Sequence, residues 1–115
     1  MVQQGEDIKF TIQGNNEMPI DLNKQTIKVV VYLQCKCNDP NAKKEAVLSE
    51  VVNDEGEVIP NIVIGKISHD ITKTMEEGQY NMEMLIQDKT SGDISIYAKK
   101  NIFTLECSMS KNLEL

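Results

Sequence analysis

The sequence predicts an all-β fold, a Greek-key β-sandwich of about seven strands. Apolar and polar residues alternate in short runs, most clearly over residues 8–13, 26–34 and 80–88, which is typical of strands with one buried face. Clusters of Gly, Pro, Asn and Asp separate these runs at intervals of about 8–12 residues. The one segment with a helical pattern, residues 70–77, spans about two turns. It is therefore a connection between strands and not a core helix.

The first part of the chain predicts two strands joined by an irregular crossing. Apolar residues alternate over residues 8–13, and the strand ends at residues 14–16, where Gly and two Asn tolerate positive φ. Pro19 lacks a backbone N–H, so residues 18–22 are predicted to cross at a sheet edge. Residues 26–34 form the strongest predicted strand, because one face is apolar and the other is partly apolar. Its predicted core face consists of Ile27, Val29, Val31 and Leu33.

The middle of the chain predicts a loop followed by a hairpin. Residues 38–45 are polar and contain a Pro, which indicates a loop. Residues 47–52 and 58–67 are predicted as two strands joined by a tight acidic turn that ends in Gly. Pro60 and Gly65 favour an irregular or edge strand with a bulge in the second of them.

The last part of the chain predicts a short helix and three strands. Ser68 or Asp70 is suited to cap a helix over residues 70–77, and Gly78 to end it. The three strands are predicted over residues 80–88, 94–98 and 101–109. Their predicted core-facing residues are Tyr80, Met82, Met84, Ile86, Phe103, Leu105 and Cys107.

The length of 115 residues corresponds to one domain, residues 1–115, with a core over about residues 4–109 and a frayed tail over residues 110–115. A chain of this length buries somewhat over ~60% of its unfolded surface, enough for a core without disulfides or metals. Hydrophobic residues make up 40% of the chain, with three Tyr, two Phe and no Trp. The sequence therefore predicts an aliphatic core.

The net charge of −6 argues against nucleic acid and anionic membranes as partners. The only adjacent basic pairs, Lys43-Lys44 and Lys99-Lys100, are typical of solvated strand ends. No apolar run approaches the ~20 residues of a membrane-spanning helix. The first residues lack the basic and apolar regions of a secretory signal, so we expect a chain that is cytoplasmic when synthesised.

Three cysteines and one histidine form the only candidate metal site. A structural zinc site needs four ligands, which here would be Cys35, Cys37, Cys107 and His69. Cys35 and Cys37 would share a face if they lay in a strand. The odd cysteine count is atypical of a secreted disulfide scaffold. The sequence favours small buried thiols at Cys35 or Cys37, Cys107 packed inward and His69 in a surface loop, so we expect no metal and no cofactor.

No group of residues in the sequence has the pattern of a catalytic centre. A general base needs an orienting partner and a nucleophile within reach, and His69 is the only histidine. The carboxylates of residues 53–57 lack the ligand spacing of a calcium-binding loop and suit a solvated hairpin tip. No phosphate-binding loop, nucleophile elbow or metalloprotease helix is present. We expect a protein without catalytic or cofactor-binding residues.

Four short motifs occur in a characteristic order along the chain. They are Gln4-Gly5-Glu6, Pro19-Ile20-Asp21-Leu22, the acidic Gly turn at residues 53–56, and Gly78-Gln79-Tyr80. In this order they resemble the small immunoglobulin-like domains of phage tail and baseplate proteins, notably the N-terminal domain of baseplate upper proteins. The similarity covers about residues 4–106. The Cys35-x-Cys37 pair is not a feature of that family.

The resemblance implies an immunoglobulin-like sandwich without enzymatic activity, serving as a subunit of a phage or prophage tail, baseplate or connector. It implies incorporation into a virion, with other structural proteins or further copies of the chain as partners in a symmetric assembly. Two alternatives remain open. A host-encoded cell-surface adhesion or carbohydrate-binding sandwich, with its signal peptide removed, would present an aromatic platform built from Tyr32, Tyr80 or Tyr97. A metal-binding protein would use Cys35 and Cys37.

Overall fold

A computed structural model describes residues 2–36, 39 and 43–108 of the chain, and it is nearly all β. The described strands are β1 Val2–Gln3, β2 Ile8–Gln13, β3 Gln25–Leu33, β4 Lys43–Glu45, β5 Val47–Val52, β6 Val58–Ile67, β7 Gly78–Asp88 and β8 Ile94–Glu106. A 3-10 helix covers Gln34–Lys36, and the single turn of helix α1 covers His69–Thr72. In these residues no helix is long and apolar enough to cross a membrane. The predicted tail, residues 110–115, lies outside the described residues.

The strands form two sheets. One has five strands in the order β1-β8-β7-β3-β4, and the other has three in the order β2-β6-β5. Neighbouring strands are antiparallel except for β1, which runs parallel to β8. Among the described strands, the chain changes sheets four times, between β1 and β2, β2 and β3, β4 and β5, and β6 and β7. The third change is at buried Ala46, whose N donates to Val29 O (2.8 Å) directly before β5. The predicted all-β sandwich is confirmed.

The core lies between the two sheets and is mainly aliphatic, as predicted. On β3 the alternation is confirmed, since Val29, Val31 and Leu33 are buried and Ile27 packs against them. Opposite them on β7, Met84 pairs with Val29 and Tyr80 with Leu33. The buried apolar residues are Ile8, Ile12, Ile20, Val29, Val31, Leu33, Ala46, Val63, Ile67, Met75, Tyr80, Met84, Ile86 and Leu105.

The predicted loop at residues 43–45 was wrong because strand pairing overrides local sequence. Residues 43–45 were predicted as loop, yet they form β4 against β3, with Val30 opposite Glu45. β6 was predicted as an irregular or edge strand with a bulge; it is the central strand of the small sheet, and its pairing with β5 is irregular. Pro60 is tolerated there because neither neighbouring strand pairs with it, and the register of β5 against β6 shifts at this point.

The predicted helix over residues 70–77 is one turn long. α1 ends at Thr72 because Met75 is drawn into the core and is 3% exposed. The two strands predicted over 94–98 and 101–109 are one strand, β8, which ends at Glu106. Asn101 interrupts its regularity with a φ of 56°.

A set of hydrogen bonds ties the segment between β1 and β2 to the segment between β6 and β7. We call residues 4–7 the crossover and residues 68–77 the corner. The side-chain Nε2 of buried Gln4 donates to Met75 O at 2.7 Å. The hydroxyl of Thr72, which is 0% exposed, accepts from Gly5 N at 3.1 Å and donates to Glu6 O at 2.7 Å. The crossover thus obtains its polar partners from the corner.

Asp7 completes the attachment by capping α1. Ser68 occupies the N-cap position but makes no cap hydrogen bond with its side chain. His69 N instead donates to Asp7 Oδ1 at 2.7 Å, and His69 Nδ1 lies 3.0 Å from the same oxygen. These hydrogen bonds hold the pKa of the Asp7 carboxyl below its usual value. A residue 62 positions away in the sequence therefore supplies the cap that Ser68 does not.

Tyr80 locks the corner onto the core. Its ring is 2% exposed and stacks on Phe103 with the ring centroids 5.0 Å apart. Its hydroxyl donates to Glu76 O at 2.7 Å, four residues earlier in the chain. Burial, together with the negative charge of Glu76, raises the pKa of Tyr80 to about 12.

Replacing Gly78 with Ala should destabilise the protein more than replacing Gly56 with Ala. Both glycines have positive φ, +143° and +81°, so each alanine strains the backbone by about 1–2 kcal/mol. Only at Gly78 would the new Cβ also meet a core atom, Leu33 Cδ1 at 2.7 Å, which adds roughly 1 kcal/mol or more of overpacking. Urea unfolding measures both variants. Equal losses would show that Leu33 yields without cost.

Tyr80→Phe should lower the free energy of unfolding by about 1 kcal/mol at neutral pH, because the hydroxyl bond to Glu76 is lost. The pKa of Tyr80 is raised to about 12, above the ~10 of an unfolded tyrosine. The stability that Tyr80 contributes is therefore complete below pH ~10 and is lost as the pH rises toward ~12. Denaturant unfolding between pH 8 and pH 11 should show the deficit of the variant shrinking. A constant deficit would contradict the buried, hydrogen-bonded hydroxyl.

Candidate functional site

Of the four residues that the sequence offered as metal ligands, the structure describes Cys35, Cys107 and His69, and all three are exposed. One or both of Cys35 and Cys37 were expected as buried thiols at a strand end, and Cys35 is not buried. β3 ends at Leu33 and the chain turns into the 3-10 helix, which leaves Cys35 exposed. Cys107 was predicted to pack inward, yet it follows the end of β8 and is exposed. Cys37 lies outside the described residues. His69 is exposed and bonded to Asp7.

Within residues 2–36, 39 and 43–108, no three His, Cys, Asp or Glu side chains lie together in a way that could hold a metal ion. The charged residues around His69 pair with one another instead. Asp7 Oδ1 lies 3.0 Å from His69 Nδ1, and Asp70 Oδ1 lies 3.6 Å from His69 Nε2 and 3.5 Å from Lys73 Nζ. This exposed cluster serves the cap of α1.

A cavity of about 380 Å³ opens at one end of the sandwich, between residues 19–25 and the first half of β6. The described residues that line it include no Cys, His, Ser or Tyr. Asp88 on its rim already accepts hydrogen bonds from Ser91 N and Thr90 N, which lower the pKa of its carboxyl. Its chemistry is that of a turn residue.

The most distinctive surface is the free edge of β8. We define the β8 edge as residues 94–100, all of which are exposed on both faces of the sheet. On one side they pair with β7. On the other side, β1 reaches only Leu105 and Glu106, and among the described residues no other strand pairs there. A long unpaired edge is a template for another strand.

Three large apolar side chains stand on the β8 edge. Ile94 is 60% exposed, Ile96 61% and Tyr97 43%. Tyr97 pairs with core-facing Met84 and so lies on the core-facing side, where the smaller sheet does not cover it, and the two isoleucines lie on the outer side. The edge therefore offers apolar surface on both faces.

The backbone of the β8 edge is also oriented for pairing. Asp88 N donates to Asp93 O at 3.0 Å, which sets the alternation of the β7–β8 ladder. The next hydrogen-bonded positions on β8 are then residues 95, 97 and 99, because such positions alternate along antiparallel strands. It follows that Ile94, Ile96 and Ala98 direct their N–H and C=O groups away from β7, toward the open side.

Charge is distributed unevenly along the same edge. Asp93 lies at its start and Lys99 and Lys100 at its end. Lysines on an edge strand discourage indiscriminate association, so the edge combines apolar anchors with charges that restrict its partners. In the sequence, apolar residues stand at both odd and even positions ahead of Lys99. This pattern alone does not show which strand lacks a neighbour.

A second group of exposed apolar residues lies on the β5–β6 hairpin. Val47 is 70% exposed, Val52 56% and Val58 50%. β5 is six residues long, and its register with β6 shifts between Glu50 and Val52. An irregular strand of this length is a poorer template than β8. The β8 edge is therefore the stronger candidate for an interaction site.

Comparisons of the chain with protein-family models, with curated proteins and with solved structures return no match.

Proposed function

We propose that the protein is a non-enzymatic interaction module, an immunoglobulin-like subunit of a phage or prophage tail, baseplate or connector, which uses the β8 edge to join its neighbours. The exposed edge carries this proposal. An edge with Ile94 and Ile96 more than half exposed is an aggregation hazard in a free monomer. In an assembly, the same edge is the surface on which a neighbouring strand adds to the sheet.

The strand order supports the immunoglobulin-like part of the proposal. Immunoglobulin sandwiches place strands B, E and D in one sheet and G, F and C in the other. In chain order, β2, β3 and β5 to β8 take the places of B, C, D, E, F and G, which gives β2-β6-β5 and β8-β7-β3. β4 then lies beside C, and β1 lies beside G.

The corner supplies a second, independent argument. Immunoglobulin-like sandwiches often carry a tyrosine at the start of strand F whose hydroxyl bonds to the backbone a few residues upstream. Tyr80 is at that place on β7, and its hydroxyl bonds to Glu76 O. Gly78 precedes it with a φ of +143°, so the Gly-x-Tyr motif serves this geometry.

The phage part of the proposal rests on the four ordered motifs, the first of which bonds to the corner that precedes the last. Gln4, Gly5 and Glu6 form the crossover, and the corner to which they bond leads into Gly78 and Tyr80. The first and last motifs therefore belong to one connected part of the fold, the crossover and the corner.

A carbohydrate-binding sandwich is a weaker proposal, because the tyrosines do not form a platform. Tyr80 is buried in the core. Tyr97 lies on the core-facing side of β8, whereas Tyr32 lies on the outer side of β3, with Lys43 Nζ 6.0 Å from its ring centroid. Stacking on a sugar ring would need aromatic side chains on one face.

Affinity purification of a tagged chain from induced and uninduced source cells tests the proposal. We expect tail or capsid proteins to co-purify after prophage induction, and Ile96→Lys to lose them because it places a charge on the β8 edge. Val47→Lys, which changes a still more exposed apolar residue on β5, should retain them. Capture of envelope proteins or glycans, or capture that does not depend on induction, would contradict the proposal.

A further inference from the structure

We infer that the β8 edge pairs with the β8 edge of a second copy of this chain, antiparallel and with the twofold axis at Ile96. The pairing would join the two five-stranded sheets into one continuous sheet. The inference deepens the proposed function, on which it rests, by naming the partner of the edge. Three observations carry it: the direction of the backbone groups, the apolar side chains and the order of the charges.

The backbone groups fit an axis at Ile96. Ile94, Ile96 and Ala98 direct their N–H and C=O groups toward the open side. With the axis at Ile96, Ile96 pairs with Ile96 of the second copy, and Ile94 pairs with Ala98. Every outward-directed group of these three residues then meets another outward-directed group, as an antiparallel ladder requires.

The same axis brings opposite charges together. Asp93 falls opposite Lys99 of the second copy, and the symmetry repeats this pair at the other end. Both residues have odd numbers and so lie on the same face of the sheet. Directly opposed charges of opposite sign stabilise an antiparallel pair, and like charges destabilise it. Moving the axis by one residue in either direction removes both charge pairs, so the charges select this register.

The apolar side chains complete the contact on the outer face. Ile96 meets its own copy, and Ile94 meets Ala98, so the two most exposed isoleucines of the edge lose contact with water. A heterologous strand could also bury them, but the acidic start and basic end of the edge are complementary to their own sequence reversed. This self-complementarity is the property of an isologous twofold interface.

The hairpin itself does not use the side chain of Asp93 for its turn. The carboxylate of Asp88 accepts the hydrogen bonds from Thr90 N and Ser91 N, and Gly92 N donates to Asp88 O at 2.9 Å. Asp93 takes part through its backbone, accepting from Asp88 N. The charge at position 93 can therefore be changed while the turn is kept.

A charge-swap experiment tests the pairing. Sedimentation equilibrium of the full chain, under reducing conditions because Cys35 and Cys107 are exposed, should give twice the 13.0 kDa mass of one chain. Asp93→Lys sets two lysines against each other at each end of the pairing, and Lys99→Asp sets two aspartates against each other. Each variant alone should therefore be monomeric at the same concentration. An equimolar mixture of the two variants should regain the dimer, because both pairs are then complementary.

Two further variants separate the interface from general effects. Ile96→Lys places two lysines at the axis and should abolish the dimer. Val47→Lys should leave the dimer intact. Circular dichroism melting of each variant identifies any that fails to fold. The mixing experiment is interpreted only when both charge variants are folded. A wild-type monomer at about 1 mM, where even weak pairs associate, would overturn the inference. A dimer unaffected by Ile96→Lys, or no regain on mixing folded variants, would do the same.

The two proposals fail in distinguishable ways. A monomeric wild type whose co-purified partners are lost on Ile96→Lys would overturn the self-pairing and leave the proposed interaction function standing, with a strand of another protein on the edge. With a monomeric wild type, partners that are retained by Ile96→Lys would contradict the use of the β8 edge in the proposed function as well. A dimer that meets the charge-swap test supports the self-pairing in either case.

Discussion

The fold depends on how the chain passes from one sheet to the other at residues 4–7. β1 pairs in the five-stranded sheet and β2 in the three-stranded sheet, so the backbone between them must leave both ladders near the core. Buried backbone groups without partners are costly. Thr72 removes that cost by bonding to Gly5 N and Glu6 O at once, and Gln4 and Asp7 bond to the corner on either side.

The same attachment determines which edge stays open. Gln4 follows β1 directly and is held at Met75, which fixes β1 at the C-terminal end of β8. β1 therefore pairs with Leu105 and Glu106, and residues 94–100 at the other end of β8 have no neighbouring strand on their open side in the described part of the chain. The proposed interaction surface is thus a consequence of where the N-terminal segment is attached.

The alternation of apolar and polar residues predicted which face of a strand is buried. It did not predict features that arise only when two segments of the chain pair or pack. Val29, Val31 and Met84 are buried as their parity requires. β4 escaped prediction because Lys43–Glu45 is polar and becomes a strand only through pairing with β3. The two-turn helix expected over residues 70–77 is cut short by contacts of Met75 and Thr72 with residues near the N-terminus, which no local propensity contains.

The candidate site shows the same division. Cysteine spacing suggested a shared face for Cys35 and Cys37, but β3 ends two residues before Cys35. The β8 edge consists of ordinary strand residues, and its character arises from sheet order alone. Apolar residues at both odd and even positions, followed by a pair of lysines, fit an edge strand and a strand covered on both faces alike. Topology had to be known before that signal could be interpreted.

Comparing Thr72→Val with Thr74→Val by denaturant unfolding tests the role of the crossover most directly. Both changes replace a hydroxyl by a methyl group of similar size. Thr74 is exposed and bonds only to Ile71 O, three residues away, so its loss should stay within about 0.5 kcal/mol. Thr72→Val leaves Gly5 N and Glu6 O without their partner and should cost about 1–3 kcal/mol. Equal, small losses in both variants would contradict the claim that the corner holds the crossover.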